Sequence, residues 1–192
     1  MKKTRIAFIS TGGTLAFIES DRLQAIDYSK RGVMLKAREI LNEIPEAGDI
    51  VDIDVYDEGP LMSSAISFPI LRRLALLCER ICREQAGTSG IVIGHGTSTL
   101  EETAHFLNLS LKVDVPVVIV GSQRPLIALS SDAGMNLIGA FRVAACPQAR
   151  GQGVLVVLNE EIHSRPLRSR IERGPTGRAC ARAGSGTGTR VL

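Results

Sequence analysis

No run of about 18 apolar residues occurs in this chain, so no segment reads as a transmembrane helix. Metal-holding chemistry is scarce: four cysteines and three histidines in 192 residues, with no Cys-x-x-Cys pair and no Cys/His cluster. Cys78 and Cys82 share a predicted helix face, Cys146 ends another helix and Cys180 lies in an unusual tail. All four read as reduced and mostly buried thiols. The dinucleotide signature G-x-G-x-x-G and the phosphate loop G-x-x-x-x-G-K-[ST] are both missing. Lys2 and Lys3 precede an apolar stretch too short for a secretory leader, which points to a cytoplasmic protein.

A single-signed charge is also missing from most of the chain. The formal net charge is +3. Seven arginines and one acid, Glu172, fall between Arg165 and Leu192, which leaves residues 1–164 with 16 basic and 19 acidic groups. The basicity belongs to the tail, and the rest offers no footprint for nucleic acid.

With 44% hydrophobic and 22% charged residues, the chain has material for one well-buried soluble domain. Apolar runs at 5–10, 50–55, 90–95, 116–121 and 153–158 read as strands. Ile91-Val92-Ile93, Val117–Val120 and Val154–Leu158 are continuous and rich in β-branched residues, the pattern of strands buried on both faces. Helical patterns lie between them at 33–43, 66–86, 98–111 and from Asp132 to about 145. Ser98-x-x-Glu101 and Thr99-x-x-Glu102 both fit a capping box, and Asp132 reads as a helix cap. The alternation predicts an α/β fold, an open and mostly parallel sheet with helices on both faces. Residues 1–164 form the expected domain. Residues 165–192, rich in Arg, Gly, Ser and Thr, read as a disordered basic tail.

Two hydroxyl-and-glycine phrases follow predicted strands. The first is Ser10-Thr11-Gly12-Gly13-Thr14-Leu15-Ala16 and the second is Gly94-His95-Gly96-Thr97-Ser98-Thr99-Leu100-Glu101-Glu102. In an open α/β sheet both fall where ligands bind, at the carboxyl ends of strands. A threonine hydroxyl is a nucleophile only when a neighbour takes its proton, and paired glycines let the backbone approach a carbonyl closely. Taken singly, Thr-Gly-Gly-Thr fits a tight turn or a phosphate-binding loop, and Thr97-Ser98-Thr99 fits a helix cap.

Together and in this order, the two phrases resemble the active-site threonine motifs of the bacterial L-asparaginase family. Three further stretches resemble that family: Val118–Pro125, Ser130–Leu137 and Gly153–His163. The resemblance implies a Rossmann-like N-terminal domain and hydrolysis of a side-chain carboxamide of asparagine, or of glutamine, through a threonine acyl-enzyme. It implies Thr14 as nucleophile, Thr97 as a second catalytic hydroxyl and Tyr28 as a lid tyrosine. Ser63, Ser64 and Ser98 become candidate substrate contacts, although Ser63–Pro69 also fits a plain hydroxyl-rich loop before a helix. No metal and no cofactor is implied. The expected partner is a small amide, with neither nucleic acid nor membrane, and intact relatives are expected to be homo-oligomers.

Three departures stand out. Ser98 occupies the place of an aspartate that pairs with the substrate's α-amino group. Arg170 falls where a lysine is expected. The family's smaller C-terminal domain has no counterpart, and the abrupt change near Ser164 reads as a shift of reading frame. An inactive remnant that binds amino-acid-like ligands without turnover is the alternative reading.

Overall fold

The computed structural model describes residues 3–23, 28, 32–164 and the backbone of 171–173, 179–181 and 189–190. Its centre is five parallel strands: β1 (Thr4–Gly12), β4 (Val51–Leu61), β5 (Thr88–Gly94), β6 (Val117–Val120) and β7 (Val154–Leu158). They lie in the order β7-β6-β5-β1-β4. A short antiparallel strand, β8 (Glu161–Ser164), extends the β7 edge, and Thr189–Arg190 pairs beyond it. Phe17–Ile18 (β2) and Val33–Met34 (β3) form a separate antiparallel pair.

Side chains on a strand alternate between faces, so each central strand feeds two cores. Ile6, Phe8, Val92, Val118, Val120, Leu155 and Val157 face one way. On that side they meet Ile40 of α1 (Ala37–Asn42), Ala47 of α2 (Glu46–Ile50) and Leu137, Ile138 and Phe141 of α5 (Ala133–Ala145). Ala7, Ile9, Ile91, Ile93, Val117, Ile119, Val154 and Val156 face the other way. There they meet Leu74, Leu77, Cys78 and Ile81 of α3 (Phe68–Glu84) and Leu100, Ala104 and Leu107 of α4 (Leu100–Ser110). The chain is therefore the α/β fold expected, a mostly parallel sheet with helices on both faces.

Several local expectations need correction. The pattern over 33–43 splits: Val33–Met34 pairs with Phe17–Ile18, and the helix begins only at Ala37. Glu39 fixes that start by accepting the N–H of Lys36 at 2.7 Å. Of the expected caps, Thr99 and Asp132 are the N-caps of their helices, but neither closes its helix with a side-chain bond. Thr99 is the N-cap of α4, yet its hydroxyl donates to the Ser63 carbonyl at 2.8 Å. Asp132 is the N-cap of α5, yet its carboxylate accepts the N–H groups of Gln123 and Arg124. Both side chains tie distant loops together instead of closing their own helices. The antiparallel β8 was not foreseen. Asn159 and Glu160, both at positive φ, make the two-residue turn from β7. Most of the tail, Arg170 included, lies outside the described residues. Within it, Ile171–Arg173 and Ala179–Ala181 pair antiparallel.

Candidate active site

Strand order fixes where a ligand can enter. From β1 the chain passes to β4 on one side, then returns to β5 on the other. The connections at the carboxyl ends of β1 and β5 therefore diverge and leave a crevice, the usual ligand position in a doubly wound sheet. The two hydroxyl-glycine phrases occupy these two strand ends.

Backbone contact brings them together. Gly13 has φ of +80°, and a Cβ built on it would lie 2.2 Å from the Gly96 Cα. No L side chain fits that space. Gly12, at φ +103°, is similarly pressed against the backbone of Leu61. Three hydrogen bonds fasten the junction. Gly13 N–H donates to the Leu61 carbonyl at 3.1 Å. The buried Thr11 hydroxyl donates to the Gly94 carbonyl at 2.9 Å, joining the ends of β1 and β5. Ser98 N–H donates to the Ser63 Oγ at 3.2 Å.

Thr14 opens a single 3-10 turn, Thr14–Ala16, in which Leu15 and Ala16 are fully buried. The turn is anchored by its apolar residues, and Thr14 is left half-buried at the crevice. Its Oγ1 lies 2.7 Å from the Tyr28 hydroxyl. The Tyr28 ring packs edge-on against Phe17, with centroids 5.2 Å apart. Thr97, also half-buried, sits one residue beyond the Gly13–Gly96 contact, and its methyl lies against Gly121. No hydrogen bond joins Thr14 to Thr97 among the described residues. Ser63 is buried against Gly96, whereas Ser64 and Ser98 are exposed. Thr14, Tyr28, Ser63, Thr97 and Ser98 thus share one junction, and Ser64 stands apart from its contacts.

His95 is fully buried beneath this junction. Its Nδ1 is 2.7 Å from the Gly96 carbonyl, which requires the proton on that nitrogen. Nε2 then accepts from the Thr103 hydroxyl at 3.0 Å. Burial holds the imidazole below its usual pKa, so it is neutral at pH 7 and ties the Gly96 turn to α4. It is a support, consistent with the lack of a carboxylate to orient it as a base.

The sequence reading placed Asn136 within the Ser130–Leu137 resemblance but gave it no role. It is buried in α5, where its amide donates to the Gly121 carbonyl at 2.9 Å and to Asp132 at 3.0 Å. Its Oδ1 accepts the Asn159 N–H at 3.0 Å. With Asp132 it holds the β6 loop, against which Thr97 rests, to the β7–β8 turn. An asparagine inside a strongly apolar helical stripe was the available signal. Among the described residues, no group of three His, Cys, Asp or Glu side chains forms a metal site, and no helix is long and apolar enough to cross a membrane.

A family model described as "Asparaginase, N-terminal" matches residues 5–170. The chain is 42% identical over 159 residues to L-asparaginase 2 of Bacillus subtilis, covering 83% of this chain and 42% of that protein. It is 36% identical over 163 residues to the glutaminase-asparaginase of Pseudomonas fluorescens biotype A, covering 85% and 44% respectively. The crystal structure of a probable cytoplasmic L-asparaginase from Campylobacter jejuni superposes with a TM-score of 0.77 and 36% identity. That match covers 84% of this chain and 48% of the other. The chain therefore spans less than half the length of each of these relatives.

Proposed function

The chain belongs to the asparaginase family, and from that premise we propose that it hydrolyses the carboxamide of a small asparagine- or glutamine-like substrate, with Thr14 as the nucleophile. The observation that carries this reading is the 2.7 Å contact between Thr14 Oγ1 and the Tyr28 hydroxyl, beside the Gly13–Gly96 contact. A weak hydroxyl nucleophile needs a group at hydrogen-bond distance that takes up its proton.

The reaction proceeds in two halves. Thr14 Oγ attacks the amide carbon while its proton passes towards Tyr28, whose own proton moves on to the amide nitrogen. The C–N bond breaks, ammonia leaves, and a Thr14 ester remains. Water then adds to the ester carbon, the C–Oγ bond breaks, and the acid departs as Thr14 regains its proton. Each tetrahedral intermediate carries an oxyanion, whose stabilisation is typically worth about 10²–10³ in rate. The Gly13 N–H is already given to Leu61, so this task falls to N–H groups of the 96–97 turn. Thr97 is the second hydroxyl of the site, while Ser63 and Ser98 receive the remote end of the substrate. The reaction requires no metal or organic cofactor, we place the protein in the cytoplasm, and we expect intact relatives to be homo-oligomers.

The competing reading is a remnant that binds small carboxylates without turnover. It is favoured by Ser98, an exposed and uncharged side chain next to Thr97. Ammonia release from L-asparagine and L-glutamine separates the two. Turnover that disappears in Thr14→Ala, and falls at least about tenfold in Tyr28→Phe, supports the hydrolase. Calorimetric binding with no ammonia from the parent chain supports the remnant.

A further inference from the structure

The loop after β6 is stapled to itself. It leaves the strand at Gly121 and enters α5 at Asp132. The Asp132 carboxylate reaches back to accept the N–H of Gln123 at 2.9 Å and that of Arg124 at 3.0 Å. The Arg124 guanidinium donates to the Ser130 carbonyl at 2.9 Å, and the Ser122 hydroxyl to the Arg124 carbonyl at 2.7 Å. Asn136 lies one helical turn beyond Asp132, on the same face of α5. Its amide donates both to the Gly121 carbonyl and to Asp132, so the first residue of the loop is tied to the last. Hydrogen bonds to an ionised acceptor are the strong ones, and cross-links of this kind leave a loop little freedom to bend.

The two ends of this loop meet different parts of the site. At its start, a Cβ built on Gly121 would lie 3.1 Å from the Thr97 methyl and 3.0 Å from the His95 carbonyl oxygen. Further on, the loop is joined to the segment that leads to Tyr28. Leu126 N–H donates to the Phe17 carbonyl at 2.9 Å, and Leu129 N–H to the Arg22 carbonyl at 3.0 Å. Arg22 Nε–H returns a bond to the Ile127 carbonyl at 3.0 Å. Phe17 is the residue against which the Tyr28 ring packs. A shift of the loop is therefore felt at Thr97 and at Tyr28 together. Reacting geometry tolerates little of this, since a misplacement of about 1 Å can cost about a hundredfold in rate.

We propose that Asp132 and Asn136 are positioning residues for the hydrolysis: they fix the 121–132 loop, and the loop sets where Thr97 and Tyr28 stand. The proposal rests on the hydrolytic reading above. Both side chains act through the loop and take no part in making or breaking bonds.

The chain has two tyrosines and no tryptophan, so in a Tyr56→Phe background of the full chain Tyr28 is the sole tyrosine emitter. Asp132→Asn keeps the shape of the side chain and removes its charge. In that variant kcat for ammonia release, from the better of L-asparagine and L-glutamine, is expected to fall about tenfold or more with KM within about threefold, and acrylamide quenching of Tyr28 to rise about twofold. Asn108→Ala is the control for lost stability alone, because it strips the Val154 N–H of its partner at the amino end of β7. It should lower the urea midpoint and leave kcat and quenching as in the parent. Unchanged kcat, a loss confined to KM, or unchanged quenching in folded Asp132→Asn overturns the proposal, as does an equal fall of kcat in Asn108→Ala. Circular dichroism checks folding, and Asp132→Ser is read in the same way if Asp132→Asn does not fold. If the parent releases no ammonia, the hydrolytic reading fails, and quenching decides the positioning separately: a rise in Asp132→Asn upholds it and no change overturns it.

Discussion

Replacing Gly13 by alanine tests the contact on which the candidate site is built. The new Cβ would meet Gly96 Cα at 2.2 Å, Gly96 N at 2.3 Å and the His95 carbonyl carbon at 2.9 Å. All three are backbone atoms, so no flexible side chain can swing away. Restoring an ordinary contact of 3.4 Å requires the β1 and β5 loops to part by roughly 1 Å. Overpacking of this kind typically costs about 1–3 kcal/mol. The backbone at φ 80°, ψ −173° adds about 1–3 kcal/mol for any residue with a Cβ. The expected loss of stability is therefore about 2–6 kcal/mol, read as a lowered midpoint in urea denaturation. If Thr14 and the 96–97 turn act on one substrate, a 1 Å parting also lowers kcat by about a hundredfold. Gly134→Ala provides the contrast. Nothing lies within 4 Å of its built Cβ, and it sits in the first turn of α5, so it should stabilise by roughly 0.5–1 kcal/mol. A Gly13→Ala midpoint equal to that of the parent would show that the two loops do not touch in solution.

Burial lowers the pKa of His95 and of His163 below the ordinary value of 6.5, so the unfolded chain takes up these protons first as the pH falls. Stability should be full above about pH 7 and decline below pH 6.5, by up to about 1.4 kcal/mol per pH unit for His95. Denaturation midpoints between pH 7.5 and 5 check this, and His95→Gln should flatten the decline; a midpoint that rises on acidification contradicts the sign. Asn136→Leu strips the Gly121 carbonyl and the Asn159 N–H of their buried partner and should cost about 2–4 kcal/mol by urea denaturation. Burial also pushes the Cys78 thiol well above its usual range, so a thiol-reactive dye should label the part-exposed Cys82 and Cys146 much faster than Cys78 in the native protein.

Three of the five central strands were legible as short β-branched runs and the other two as apolar or alternating stretches, and the long helices were legible because their apolar residues recur at helical spacing. In both cases burial dictates the pattern locally. The pairing of the two threonine phrases was legible for a topological reason, since both follow strands whose carboxyl ends meet in a doubly wound sheet. The N-cap positions Thr99 and Asp132 were legible, but the partners of their side chains were not, because a hydroxyl or carboxylate at a helix start has two uses. Thr99 and Asp132 bind loops 36 and 8–9 residues away, and nothing local distinguishes that from capping. β8 was missed because Glu161-Ile162-His163-Ser164 carries little apolar signal, and the role of Asn136 because its partners come from three separate segments.

The sequence by itself determined the alternation of strand and helix and the two buried faces of the sheet, because these follow from side-chain size, polarity and period; the candidate residues at the carboxyl end came from the resemblance of the two threonine phrases to the asparaginase family. Only the tertiary structure decided that Gly13 and Gly96 touch, that Tyr28 meets Thr14, that His95 is a neutral strut and that Ser63 turns inward while Ser64 does not. Each of those depends on segments far apart in the chain coming within a few ångströms, and local preference holds no information about such distances.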